Sequence, residues 1–276
     1  MQSPLPPAAF AAPKPSLTTP TGGSVFVLPD RALLMVAAAE RIVGLAASAI
    51  AERGRFTWAL AGGSTPEQLY ALLATSAYRP RIDWQRVHFF WGDERCVAPD
   101  DPQSNYRMAR QSLLDVVQPP ELNLHRMHGE LEPSAGADSY QRELERVFQA
   151  AKSDHPPRFD CILLGMGGDG HTASLFPGTR ALQESQRWVV VNEAQGLAPG
   201  VTATRLTFTL PLLNAARDVM FLVAGADKSQ RLAEVVSGKH SGPAFPAELV
   251  RPETGAQWFV DDLAGALLAT PAAVHE

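Results

Sequence analysis

Apolar residues come in short blocks along this chain, and most blocks are apolar on both faces instead of alternating. Residues 25–28 (VFVL), 57–61 (TWALA), 87–91 (VHFFW), 159–164 (FDCILL), 188–191 (WVVV), 220–224 (MFLVA) and 257–260 (QWFV) are β-prone runs of this kind. Strands without a polar face belong to a parallel sheet covered on both sides. Between these runs the spacing turns helical. It predicts a helix over Arg31–Arg53, capped by Asp30 and stopped by Gly54, and others near residues 66–74, 105–117, 136–152 and 227–237. Strand and helix alternating in this way predict an α/β fold, a parallel sheet between helix layers. Alternation appears only at residues 203–210 (ATRLTFTL), which predicts an edge strand or a small second sheet.

The ends break the pattern. Residues 1–23 hold six prolines and one basic residue, so they are expected to be a disordered tail. Their apolar stretch is too short for a secretory core, and the lack of arginine argues against an organelle transit peptide. Residues 24–269 are expected to form a single domain, with 270–276 as a short C-terminal tail.

Composition narrows the partners. The chain has 276 residues, 45% of them hydrophobic, and no long basic block; 24 Lys+Arg against 29 Asp+Glu leave a net charge of −5. That argues against nucleic acid or an anionic membrane as partner, so any phosphate must be caught locally. The mean hydropathy of −0.08 and the absence of a long uninterrupted apolar run argue against a membrane span. Cys96 and Cys161 form no paired motif, which points to a reducing cytoplasm. His125 and His128 (HRMH) could seat two imidazoles, but no third ligand stands at matching spacing, so no metal is expected.

Ligands of open α/β sheets bind beyond the carboxyl ends of the strands. Three segments there carry chemistry. LAGGSTP, residues 60–66, follows a strand and opens a helix; its glycines admit close approach, and Gly63, Ser64 and Thr65 offer N–H and hydroxyl groups to an anion. It lacks the Gly-Lys-Ser/Thr of a nucleotide loop, which favours a monophosphate. WGDER, residues 91–95, places Asp93, Glu94 and Arg95 at a strand end. GMGGDGHTASLFPG, residues 165–178, contains G-x-G-x-x-G, but Pro177 and Gly178 leave no room for the long helix of a dinucleotide fold. There His171 stands beside Asp169 among glycines, as acid/base work requires. No nucleophile elbow is present.

These motifs, with DPQSNY at 101–106 and TRLTFTLPLLNAA at 204–216, resemble the 6-phosphogluconolactonase family in order and over nearly the whole chain. The resemblance implies a three-layer fold, a mostly parallel sheet with helices on both faces, related to glucosamine-6-phosphate deaminase and ribose-5-phosphate isomerase. It also implies no cofactor, and hydrolysis of 6-phospho-D-glucono-1,5-lactone to 6-phosphogluconate, a step of the oxidative pentose phosphate pathway. Carried onto this sequence, His171 is similar to the general base and Asp169 to its orienting partner. Gly63, Ser64 and Thr65 resemble the phosphate cradle, with Arg205 and Lys228 beside it; Asp93 and Arg95 match the Asp-Glu-Arg motif. Backbone N–H groups of Gly167 and Gly168, or Arg95, are candidate oxyanion donors. An amino-sugar-phosphate deaminase or isomerase, and a non-catalytic sugar-phosphate binding module, are the alternatives.

Overall fold

The structure, a computed structural model, describes residues 13–150, 155–194 and 203–268. Its first half contains β1 (Leu17–Thr18), β2 (Ser24–Leu28), α1 (Arg31–Arg53), β3 (Phe56–Leu60), α2 (Ser64–Leu73), β4 (Val87–Trp91), β5 (Asp93–Arg95), α3 (Asn105–Ala109), α4 (Asp115–Val117) and α5 (Pro133–Phe148). There follow β6 (Cys161–Leu164), β7 (Val189–Glu193), β8 (Thr204–Phe208), α6 (Leu210–Ala215), β9 (Val219–Val223), α7 (Ser229–Ser237), β10 (Gln257–Asp261) and α8 (Asp262–Gly265).

Seven strands form the main sheet in the order β1-β2-β10-β9-β6-β3-β4. All neighbours in it run parallel except β1 against β2. Side chains leave each strand on alternate sides, and both sides are buried. Phe56, Trp58 and Leu60 of β3 face one apolar layer with α1 and α2, while Ala59 joins the other with α5, α6 and α7. The double-sided apolar strands therefore mean what they were expected to mean: helix, sheet, helix.

α1 begins and ends as its sequence predicts. Asp30 accepts the Leu33 N–H at 2.8 Å, and Gly54 closes the helix with φ +75°. By length and apolarity alone α1 could cross a membrane. Its stripe Leu34, Ala38, Ile42, Ala46 and Ala49 is instead buried where the helix meets α2 and strands β2, β3 and β10. The helix predicted over 105–117 is continuous but carries a five-residue π-type stretch between α3 and α4.

Several expectations need correction. β7, read from WVVV as one more parallel strand, pairs antiparallel with β8 in a second, three-stranded sheet of order β5-β8-β7. WGDER, expected at the end of a strand, itself enters a second one: Trp91 ends β4, and Asp93 to Arg95 form β5 of the small sheet, paired with β8. α5 starts at Pro133, three residues early, because Glu132 caps it by accepting the Ala135 N–H. The tail expected through residue 23 ends sooner. Leu17 and Thr18 extend the main sheet, and the Ser16 N–H donates to Val25 O at 2.7 Å. Residues 1–12 and the expected C-terminal tail at 270–276 lie outside the described residues.

Candidate active site

β3 is where the sheet changes direction: the chain continues to β4 on one side and later to β6 on the other. Such a switch point opens a crevice at the strand ends. The three motif segments leave from β3, β4 and β6, so they meet there.

The LAGGSTP segment is held from below. Tyr70 of α2 accepts the Ala61 N–H and donates to Ala61 O, both at 2.9 Å. α2 begins at Ser64, and no side chain caps its N-terminus. The first N–H groups of a helix lack intrahelical partners and carry the positive end of its dipole. An anion is the natural ligand for that end.

At WGDER the backbone passes from one sheet to the other through Gly92, whose N–H donates to Leu60 O and whose carbonyl accepts the Phe208 N–H. Asp93 is buried; its carboxylate accepts the Ser174 hydroxyl at 2.6 Å and faces Asn105 Nδ2 at 3.4 Å. Glu94 accepts the N–H groups of Arg95, Asn105 and Tyr106, each at 2.8 Å, and the Ser104 hydroxyl at 3.0 Å. Burial pushes its carboxyl above the usual range against the pull of those bonds. Glu94 thus ties β5 to the start of α3. Arg95 donates to Gln103 O and stands opposite Arg205 in the strand register. Burial, then the neighbouring Arg95 charge, lowers the pKa of the Arg205 guanidinium.

After β6 no helix opens, so the glycine spacing there is not a dinucleotide fold. The segment turns back on itself: Gly167 N–H donates to His171 O at 2.9 Å and Gly170 N–H to Gly167 O at 3.0 Å. His171 Nδ1 lies 2.6 Å from Asp169 Oδ1, and the His171 N–H donates to the same oxygen. A carboxylate only accepts, so Nδ1 carries a proton, and in the neutral imidazole the lone pair is on Nε2. Burial raises the Asp169 carboxyl, but the hydrogen bond and charge of His171 outweigh it and hold the group at about 2. The pair rests on Gly167, where a Cβ would stand 2.1 Å from His171 Nδ1 and 2.6 Å from Asp169 Oδ1.

His171, Gly167, Asp93, Arg95 and Arg205 line one cleft of about 340 Å³, together with Gly62 and Gly63. Small-molecule sites begin at about this size. Gly63, Ser64, Thr65 and Lys228 line an adjoining recess, and Gly62 and Gly63 wall both. Gly168 sits at the edge of the recess, with Lys228 Nζ 3.9 Å from where its Cβ would be. The expected site residues therefore converge, with two qualifications. The Gly167 N–H is committed to His171 O, so it is no oxyanion donor; Gly167 serves by having no side chain. Arg205 shares the main cleft with Arg95, while Lys228 belongs to the recess. His125 and His128 have different partners: His125 joins His88 and Glu143, and His128 lies near Glu130.

Two further residues of the cleft wall, Asn105 of DPQSNY and Ser174 of the histidine segment, hold the site together. Asn105 donates to Asp93 O at 2.9 Å, and its buried Oδ1 has no partner among the described residues and lies against Gly62. Ser174 bonds Asp93, the Thr207 hydroxyl and Asn192, tying the histidine segment to the small sheet.

An imidazole oriented by a carboxylate and opening on a cationic cleft equips an α/β enzyme to move protons on a small anionic substrate. Comparison with known proteins narrows this class. The chain belongs to the family of glucosamine-6-phosphate isomerases/6-phosphogluconolactonase, whose model matches residues 29–259. It is 44% identical to a 6-phosphogluconolactonase of Synechocystis sp. over 242 residues, covering 87% of this chain and 96% of that one. The solved 6-phosphogluconolactonase of Trypanosoma cruzi superposes with a TM-score of 0.79 at 28% identity, covering 92% of this chain and 98% of that one. A monomeric glucosamine-6-phosphate deaminase shares the fold at 21% identity, with a TM-score of 0.71 over 88% of this chain and 99% of its own.

Proposed function

We propose that this chain hydrolyses 6-phospho-D-glucono-1,5-lactone to 6-phospho-D-gluconate, with His171 as general base. The observation that carries the mechanism is the 2.6 Å contact between Asp169 and His171 Nδ1, which leaves Nε2 to receive a proton at the cleft. Nε2 takes a proton from the attacking water as its oxygen bonds to C1. The carbonyl electrons move onto the exocyclic oxygen. As the oxyanion electrons reform the carbonyl and the C1–O5 bond breaks, the imidazolium gives its proton to O5; the new carboxylic acid then releases its remaining proton to water and becomes the carboxylate. Gly168 N–H and Arg95 are the candidate donors to the oxyanion, a contribution of roughly 3 kcal/mol for one good donor.

The phosphate sits at the start of α2, against Ser64, Thr65 and Lys228. Arg205 adds positive charge from the neighbouring wall, and an anion in the cleft relieves its repulsion with Arg95. The named relatives support lactone hydrolysis over amino-sugar chemistry, and a sequence without a paired cysteine motif fits a cytoplasmic setting.

The test of the phosphate assignment compares the phosphorylated lactone with plain gluconolactone. Hydrogen bonds to charged groups contribute about 1.5 to 3 kcal/mol each, so losing two lowers kcat/KM by about 10² to 10⁴. Lys228→Ala should penalise only the phosphorylated lactone. Equal kcat/KM for the two lactones in the wild-type protein would overturn the assignment.

A further inference from the structure

The segment carrying Asp169 and His171 has no helix or strand of its own to hold it. Later parts of the chain grip its outer side. Ala247 N–H donates to Gly170 O at 3.0 Å. Phe245 covers Gly170, which has φ +83° and where a Cβ would lie 2.8 Å from the ring. Arg231, on the first turn of α7, stacks its guanidinium 4.1 Å over the Phe245 ring and donates from Nε to Gly168 O at 3.2 Å. Glu234 holds the same guanidinium at 2.6 Å. Arg231 is thus fixed on three sides, and its one bond to the loop falls on the peptide between Gly168 and Asp169.

That peptide sets where Asp169 places its carboxylate, and so which way His171 points. Lys228 stands three residues before Arg231 on the same turn of chain, at the edge of the recess. We propose that Arg231 is a positioning residue, which locks the Gly168–Asp169 peptide and so aligns the Asp169–His171 pair with a substrate whose phosphate is held one helical turn away. This rests on the reading of His171 as the base. It goes beyond that reading by assigning a role to a side chain that lines neither the cleft nor the recess.

A residue acting by alignment changes the chemical step more than binding. Arg231→Ala should lower kcat on the phosphorylated lactone about tenfold, with KM changed less than about twofold and the melting temperature nearly kept. Guanidinium ion at millimolar concentration should restore part of the lost kcat in Arg231→Ala and leave the wild type unaffected. Unchanged kcat, or a rise confined to KM as a phosphate contact would give, overturns the proposal. If Arg231→Ala does not fold, Arg231→Lys decides: it keeps the charge but loses the planar stack on Phe245. Lowered kcat with KM retained supports the proposal, and wild-type kcat overturns it. His171→Ala assayed in parallel separates the two levels. If it remains active the reading of the base is wrong; if it is inactive while Arg231→Ala is fully active, only the positioning role is.

Discussion

His171 owes its place to two neighbours of opposite kind, a carboxylate that fixes its tautomer and a glycine that leaves it room. Gly167 has no left-handed φ, so an alanine there suits the backbone and only its methyl group intrudes on the pair. Gly167→Ala should therefore lower kcat by about 10²-fold, the scale of a misplaced general base, at a nearly unchanged melting temperature. Steady-state kinetics and a thermal melt check this, and unchanged kcat would mean that the pair has slack the contact distances do not suggest. The pair was legible in the sequence because both members and their glycines lie within five positions. Ser174 was not: its partner Asp93 is 81 positions away. Nor were Arg231 and Phe245, whose roles exist only once α7 and the segment after it fold back onto the loop. Local pattern encodes local geometry and is silent on such contacts.

At the scale of elements, the long apolar strands and α1 were readable because their burial and caps repeat over many residues. β7 was misplaced and β5 missed for physical reasons. A short β-prone run such as WVVV looks the same whether its neighbours run parallel or antiparallel, and only the pairing with β8 decides; the charged run Asp93–Arg95 has no apolar pattern to mark it as a strand. β4 also holds a feature outside the catalytic chemistry. His88 Nδ1 lies 3.0 Å from His125 Nε2 with the rings stacked, and His125 Nδ1 lies 2.7 Å from Glu143 of α5, which Arg146 also binds. Burial, with the charges of His125 and Arg55, pushes His88 down to about 4; burial also lowers His125 against the opposing pull of Glu143. Imidazoles held neutral in the fold bind protons more readily once unfolded, where their pKa is about 6.5. Their stabilisation is complete above that value and is lost as the pH falls from about 6.5 toward 4. The melting temperature should therefore drop between pH 7 and pH 5, and His88→Gln should flatten that drop. Equal slopes for variant and wild type would remove His88 from the explanation.

At the scale of the molecule, one topological decision builds the site. The reversal at β3 brings three strand ends together. The small sheet, entered through Gly92, then adds Arg95 and Arg205 to a crevice that the main sheet alone would leave without them. A chain of net charge −5 thereby concentrates Arg95, Arg205 and Lys228 along one cleft and its adjoining recess. The most direct test is hydrolysis of 6-phospho-D-glucono-1,5-lactone by the purified protein, measured against the spontaneous rate for wild type and His171→Ala. The wild type should show a catalysed rate that falls by about 10²-fold or more in the variant, with folding intact. A wild type no faster than the spontaneous reaction, or a variant as fast as the wild type, would contradict this mechanism.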